Sequence, residues 1–208
     1  GIERIKDKIV SILLRKFPSC PMIFEKSRLP SRKEEGLDPI EGLLYGKEIE
    51  EIEVTENAIK FIVSFTNSQK TGFFLDQREM RDLVGQLSYK KKVLNCFSYS
   101  GGFSLYAAKD GAEHVVSIDS SQSALDLAQR NFILNAQSLS RASFFCEDVF
   151  QFLRKDPLDY DIIILDPPAF AKKKEDIKKA CRGYKDINRL ALQKMPPFSL
   201  LLTCSCSY

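Results

Sequence analysis

Residues 93–109 run Val93-Leu94-Asn95-Cys96-Phe97-Ser98-Tyr99-Ser100-Gly101-Gly102-Phe103-Ser104-Leu105-Tyr106-Ala107-Ala108-Lys109. The first five form an apolar run of strand length, and residues 102–109 form a helix, so the stretch is a strand, a glycine turn and a helix. Adjacent glycines let the backbone turn sharply and let a ligand come close to the main chain. The spacing is not G-x-G-x-x-G, so the dinucleotide fingerprint is not met, and a plain strand-to-helix turn is the structural alternative.

Downstream the same alternation continues. Strands are predicted at 115–118, 142–146, 162–165 and 200–203, with helices at 121–135, 149–155 and 175–194. Five apolar strands separated by helices imply an α/β fold, a parallel sheet with helices on both faces. No internal repeat or low-complexity tract interrupts it.

Upstream the texture differs. Residues 1–17 place Ile2, Ile5, Ile9, Ile12, Leu13 and Phe17 at helical spacing, and Pro18 and Pro21 end that helix. Short strands are expected at 22–24, 43–45 and 49–54, with a charged loop over 27–38. Glu56-Asn57 signals a turn, and Ile59, Phe61, Val63 and Phe65 alternate as in a strand. Residues 71–75 read as a further strand, and Asp76 with Glu79 reads as a helix start. A small α+β module is therefore expected over 1–75, and the α/β domain over 76–208.

The composition sets outer limits. The chain has 208 residues and a formal net charge of +3, compatible with nucleic acid without singling it out. No apolar run approaches the roughly 20 residues needed to span a bilayer, and the N-terminus lacks the pattern of a secretory signal. Cys20, Cys96, Cys146, Cys181, Cys204 and Cys206 include no C-x-x-C pair, so a reduced, cytoplasmic protein without a metal site is expected.

Four further positions carry chemistry, all just after predicted strands. Asp119 can grip the two hydroxyls of a ribose, or cap the helix that follows. Asp148 can hold an adenine amino group, or cap its own helix. Asp166-Pro167-Pro168-Ala169-Phe170 sets a carboxylate on a rigid loop with an aromatic residue near it, suited to a planar ring. Such a loop after an apolar strand points to methyltransferases that act on nitrogen or on bases. Thr203-Cys204-Ser205-Cys206-Ser207 follows the fifth strand at the same sheet edge, where a thiol is a candidate nucleophile or a structural cysteine. Spacing alone leaves Cys204 and Cys206 both open. The run Lys172-Lys173-Lys174, with Lys178, Lys179 and Arg182, suits an RNA backbone or a solvated helix face.

Several stretches together resemble the bacterial 23S ribosomal RNA methyltransferases. They are Gln69-Lys70-Thr71-Gly72-Phe73-Phe74-Leu75-Asp76-Gln77-Arg78, Leu94 through Gly102, Val116-Ser117-Ile118-Asp119-Ser120-Ser121, Asp166-Pro167-Pro168, and Ala180-Cys181-Arg182-Gly183-Tyr184-Lys185-Asp186-Ile187-Asn188. The resemblance is greatest to the cytosine-5 branch. In that branch a Ser-Cys-Ser after the fifth strand carries the nucleophile, and Ser205-Cys206-Ser207 matches it, which ranks Cys206 above Cys204.

The resemblance implies a class I, Rossmann-like methyltransferase fold using S-adenosylmethionine. It implies catalytic roles for Cys206 and Asp166. It implies cofactor contacts from Phe97, Ser98, Tyr99, Ser100, Gly101, Gly102 and Phe103, and from Asp119, Ser120, Ser121, Asn135, Asp148, Val149, Asp166 and Pro167. Phe74, Asp76 and Arg78 are expected to share one face of a strand and to close the pocket. The implied partner is large-subunit ribosomal RNA, naked or partly assembled, bound by a monomer or homodimer without membrane or metal.

Family members carry an N-terminal RNA-binding PUA domain and continue past the Ser-Cys-Ser with a helix and two strands. Neither is found in these residues, and Met195-Pro196-Pro197 replaces a glycine-rich turn, so the expectation is a fragment with a C-terminally incomplete sheet. Competing readings are a guanine-N7 or amino methyltransferase, a nicotinamide-dependent oxidoreductase, and a non-catalytic RNA-binding module.

Overall fold

A computed structural model describes residues 2–28, 31–64, 72–155, 157–171 and 174–206. Phe65, Gln69, Lys70, Thr71, Lys172, Lys173 and Ser207, which carry parts of the sequence reading, lie outside the described residues. The chain divides into two compact units, Gly1–Ile52 with Val63–Phe73, and Glu53–Ile62 with Phe74–Tyr208.

In the first unit a 3-10 turn, Ile2–Ile5, leads into α1, Lys6–Lys16. The helix closes where the Phe17 N–H donates to the Leu13 carbonyl, just before Pro18. The strand β1, Met22–Ser27, is longer than expected, because it pairs antiparallel with β2, Ile40–Gly46. The segment expected as a charged loop contains one helical turn, α2, Ser31–Glu34.

The strands β3, Glu51–Glu56, and β4, Ile59–Ser64, form a hairpin closed by Asn57 and Ala58 at φ 49° and 61°. Two positive φ values in a two-residue turn match the twist of the strands they join. The hairpin tip groups with the second unit through side chains of the helix α5, Gln122–Leu134, and its cap. The Ile62 N–H donates to Asn131 Oδ1 at 2.8 Å. Asn135 grips the Lys60 backbone twice, accepting from its N–H and donating to its carbonyl at 2.8 and 2.7 Å.

The rest of the second unit alternates strand and helix. In chain order it runs α3 Arg78–Leu87, β5 Lys92–Cys96, α4 Gly102–Lys109, β6 His114–Asp119, α5, β7 Ala142–Cys146, α6 Val149–Arg154, β8 Ile162–Leu165, α7 Ile177–Lys194 and β9 Leu200–Thr203. The strands form one parallel sheet in the order β7-β6-β5-β8-β9.

Pleating sends alternate residues to opposite faces, and here both faces are covered. Leu94, Cys96, Ile163 and Leu165 join Val149, Leu153, Ile187 and Leu190 on the side of α6 and α7. Val93, Ile162 and Ile164 join Val84, Phe103 and Ala107 on the side of α3 and α4. Double burial explains why these strands are continuous apolar runs.

One expected strand is absent. Gly72, at φ +84°, sits in a bend, and Leu75–Gln77 is a 3-10 turn running into α3. A left-handed glycine breaks extended backbone, and the polar residues after it continue as helix. Phe74, Asp76 and Arg78 therefore do not share one face of a strand. Nor does Asp76 cap a helix: neither the 3-10 turn nor α3 has a side-chain cap.

Candidate functional site

Chain order turns back between β5 and β8, and in open parallel sheets ligands bind outside the carboxyl ends of the strands at that switch. Register sets out what lies there. Asp119 pairs with Cys146, Cys96 with Ile118 and Leu165, and Leu165 with Thr203. One step on, Asp119, Phe97, Asp166 and Cys204 follow one another along the edge, about 5 Å apart per strand.

The β5–α4 turn is held in an unusual shape. Phe97, Tyr99 and Gly101 all have positive φ, at 59°, 47° and 77°. The Ser98 N–H donates to the Ile118 carbonyl, and the Gly101 N–H to the Ser98 carbonyl. Gly101 is needed twice over: its φ is left-handed, and a Cβ there would lie 2.8 Å from the Ala128 Cβ on α5. Gly102 in turn packs on the Arg81 side chain, whose Cδ would lie 3.0 Å from an added Cβ. These glycines serve the turn and the packing of helices around it. Asn131 anchors the same loop, donating to the Ser100 carbonyl at 2.9 Å while it accepts from Ile62.

Asp119 is set by the loop. Its Oδ2 accepts from the Tyr99 N–H and its Oδ1 from the Ser121 N–H, both at 2.9 Å. The remaining lone pairs are free to accept a pair of vicinal hydroxyls with the carboxylate already oriented. Ser121 caps α5, accepting from the Ala124 N–H, so Asp119 is not needed there. Ser98 Oγ, in the same loop, is buried without a hydrogen-bond partner among the described residues. An orphaned buried hydroxyl on the loop that orients this carboxylate fits a polar cofactor held along it. Phe103 and Val149 are buried in the two cores, and Ser120 is exposed.

Asp148 caps α6, its Oδ1 accepting from the Gln151 N–H at 2.9 Å. Asn135 caps the far end of α5, where its amide latches Lys60 and donates to the Asn131 carbonyl.

On the other half of the edge, Asp166 is half-buried, with Pro167 buried behind it. Burial pushes its carboxyl above the usual range, and the nearby Asp76 carboxylate pushes the same way. Asp76 is thus brought to the site by the 3-10 turn. Phe74 meets the Tyr99 ring edge-on at 6.1 Å, whereas Arg78 is exposed with its guanidinium 3.8 Å from Glu79. Phe170 sits in an aromatic cluster. It packs against Tyr184 at 4.6 Å and against Phe97 and Phe150, and Gly183 leaves room for it.

The two thiols differ. The Cys204 N–H donates to the Leu165 carbonyl, continuing the β8–β9 ladder and setting the thiol beside Asp166. Burial first, then the Asp166 charge, pushes the Cys204 thiol up to about 11, and the Gln77 side chain is within hydrogen-bonding reach of it. Cys206 is exposed, its Sγ 4.0 Å from the Pro167 carbonyl. All six cysteines are free thiols. Among the described residues no cluster of His, Cys, Asp and Glu could hold a metal, and no helix is long and apolar enough to cross a membrane.

One buried network has no signal in the sequence. Arg81 pairs with Glu56 through two hydrogen bonds, at 2.9 and 2.8 Å, and the Tyr106 hydroxyl donates to Glu56 at 3.0 Å. The partners are 25 and 50 residues apart, beyond any local pattern.

Residues 33–207 match a family described as S-adenosylmethionine-dependent methyltransferase. Two curated relatives are both called ribosomal RNA large subunit methyltransferase I. The one from Aliivibrio fischeri (strain MJ11) is 47% identical over 211 residues, covering 100% of this chain and 53% of that protein. The one from Aeromonas salmonicida is 45% identical with the same coverage. The chain thus spans about half the length of the curated relatives it matches. A crystal structure of a candidate methyltransferase complexed with SAH superposes with a TM-score of 0.81 at 31% identity, covering 97% of this chain and 52% of that one. These matches set aside the nicotinamide-dependent reading. With the five-stranded parallel sheet, the oriented Asp119 and a match over most of its length, the chain belongs to the S-adenosylmethionine-dependent methyltransferase family.

Proposed function

We propose that this chain is the cofactor-binding and catalytic part of a cytoplasmic enzyme that methylates carbon 5 of a cytosine in large-subunit ribosomal RNA. The observation that carries the reading is one carboxyl edge with a pre-oriented Asp119 on β6 and, two strands away, Asp166 beside a loop with two thiols. The relatives' shared name supports the RNA substrate, and the free thiols suit a reducing compartment.

Bound S-adenosylmethionine supplies a sulfonium methyl electrophile. Asp119 would hold its ribose, the 97–103 loop its methionine part, and Asp148, through the oxygen that does not cap α6, its adenine. Phe74, next to Tyr99, closes the same side.

Carbon 5 of cytosine is a weak nucleophile. In the proposed route the Cys206 thiolate adds to carbon 6, forming a C–S bond while the ring double bond's electrons move toward N3. N3 of neutral cytosine accepts a hydrogen bond, so its partner must donate. The raised pKa of Asp166 favours the protonated carboxyl that can do so and give up its proton as charge builds. Carbon 5 then takes the methyl group and loses its proton to water, the C–S bond breaks to return the thiolate, and N3 hands its proton back to Asp166. The base must leave its stack to reach the edge.

Cys204 suits a different part. With its thiol pushed to about 11, little thiolate exists near neutrality, and it acts as a neutral donor beside Asp166. That supports Cys206 as the nucleophile on physical grounds independent of the Ser-Cys-Ser resemblance. The test is incubation of the chain with labelled S-adenosylmethionine and large-subunit RNA, followed by mass mapping of the modified base. Label on 5-methylcytosine is expected; label on guanine N7 or an exocyclic amine would refute the assignment.

A further inference from the structure

We propose that the solvent face of α7 is a phosphate-binding stripe that holds the RNA strand leading away from the target base. This inference rests on RNA being the substrate. Lys178, Arg182, Lys185 and Arg189 follow one another at intervals of four, three and four residues, which puts them in one row on a helix. Ala180, Ile187, Leu190 and Ala191 bury the opposite side, so the row faces outward, and all four cations are exposed. The row is about 16 Å long at 1.5 Å per residue. Because α7 follows β8 in a parallel sheet, its Lys178 end lies at the edge that carries Asp166, and the row runs away from it down the flank.

The charge pattern is what separates this face from an ordinary solvated one. Solvated helix faces normally mix both signs. Here like charges stand three or four residues apart, an arrangement that destabilises a helix on its own. Lys178, Arg182 and Lys185 have no acidic partner among the described residues. The one acid within α7, Asp186, is held by Arg189 at 2.7 Å and by Arg154 of α6 at 3.2 Å. Asp186 is accordingly held below the ordinary carboxylate range by those guanidinium groups, Arg189 first.

Beside the row lies an open groove of about 390 Å³ between α6 and α7, lined by Phe150, Arg182, Gly183, Lys185, Asp186 and Arg189. The Arg154 guanidinium lies 6.0 Å over the Phe150 ring. A row of four exposed cations, three of them without an acidic partner among the described residues, flanking a groove with an aromatic wall suits a phosphodiester backbone with a base laid beside it.

The experiment is fluorescence anisotropy of a labelled single-stranded RNA against the full chain over a range of salt. It uses the wild type, the triple variant Lys178→Gln, Arg182→Gln, Lys185→Gln, and the quadruple variant that adds Arg189→Gln. Each replaced cation should flatten the slope of log K against log salt by about 0.7, roughly 3 for all four, with affinity at low salt falling on the order of 100-fold. S-adenosylmethionine affinity by calorimetry and the circular dichroism spectrum should not change, and the triple variant leaves the Arg189–Asp186 pair intact if the quadruple one folds poorly. Wild-type affinity and salt slope in both variants would overturn the stripe. No RNA binding by the wild type would instead overturn the RNA reading beneath it.

Discussion

The two halves of the sheet's carboxyl edge are built on opposite principles. On the β6 side the carboxylate of Asp119 takes two backbone N–H groups, Ser121 caps its helix, and Asn131 ties the loop carbonyl of Ser100 to the hairpin. On the β8 side Asp166 is half-buried next to Asp76, and the Cys204 thiol is pushed up to about 11. One half orients its carboxylate by backbone hydrogen bonding. The other raises the pKa of a carboxyl and of a thiol, chiefly by burial. Fixed acceptors suit a binding surface, whereas a carboxyl with a raised pKa suits proton transfer.

If that contrast is right, substitutions on the two halves fail differently. Among the acids and their supports the largest effect belongs to Asp166→Ala, which should lower turnover on the order of 10²–10³-fold with cofactor affinity unchanged by calorimetry. Asp166→Asn, which keeps a donor, should recover part of that loss. The pH profile gives the sign. The protonated carboxyl is present below a raised pKa and lost as pH rises through it, so wild-type turnover should decline on the alkaline side of that value, and Asp166→Asn should remove that limb.

Asp119→Asn should do the reverse. It replaces an acceptor by a donor facing two backbone N–H groups, so S-adenosylmethionine should bind roughly 10–100-fold more weakly, about 1.5–3 kcal/mol, while turnover at saturating cofactor holds. Smaller still is Gly101→Ala, which combines a left-handed φ with a 2.8 Å approach to Ala128 and should cost about 2 kcal/mol of stability. A denaturant melt checks it, and pairing it with Ala128→Gly should recover the steric part alone. The smallest effect is Asn135→Ala. It frees the Lys60 backbone groups, costing about 1 kcal/mol of stability, and should leave cofactor affinity untouched.

Much of this edge was legible in the sequence because its signals are local. The limits of α4, β7, β8 and β9 fall at the expected residues, since the runs there are bounded by residues such as Gly101 and Asp110 at α4, Arg141 and Glu147 at β7, and Asp161 and Asp166 at β8. Asp119 and Asp166 could be placed because each directly follows an apolar strand. What failed depended on long-range geometry. The grip of Asn135 on a strand 75 residues away has no signal in the sequence. Residues 71–75 looked like a strand, yet Gly72 at φ +84° and the 3-10 turn bring Asp76 rather than a strand face to Asp166. The Glu56–Arg81–Tyr106 network joins three elements that no spacing rule connects. Nor did spacing separate Cys204 from Cys206; that required the β8–β9 register, which sets Cys204 against Asp166 and leaves Cys206 exposed.

That separation is the point on which the account stands. The decisive measurement is methyl transfer to cytosine in large-subunit RNA by Cys206→Ala and Cys204→Ala, side by side, with cofactor affinity checked in each. The account predicts that Cys206→Ala binds S-adenosylmethionine normally and transfers no detectable methyl group, while Cys204→Ala retains measurable turnover. Full methylation by Cys206→Ala, or loss of it in Cys204→Ala alone, would contradict the account.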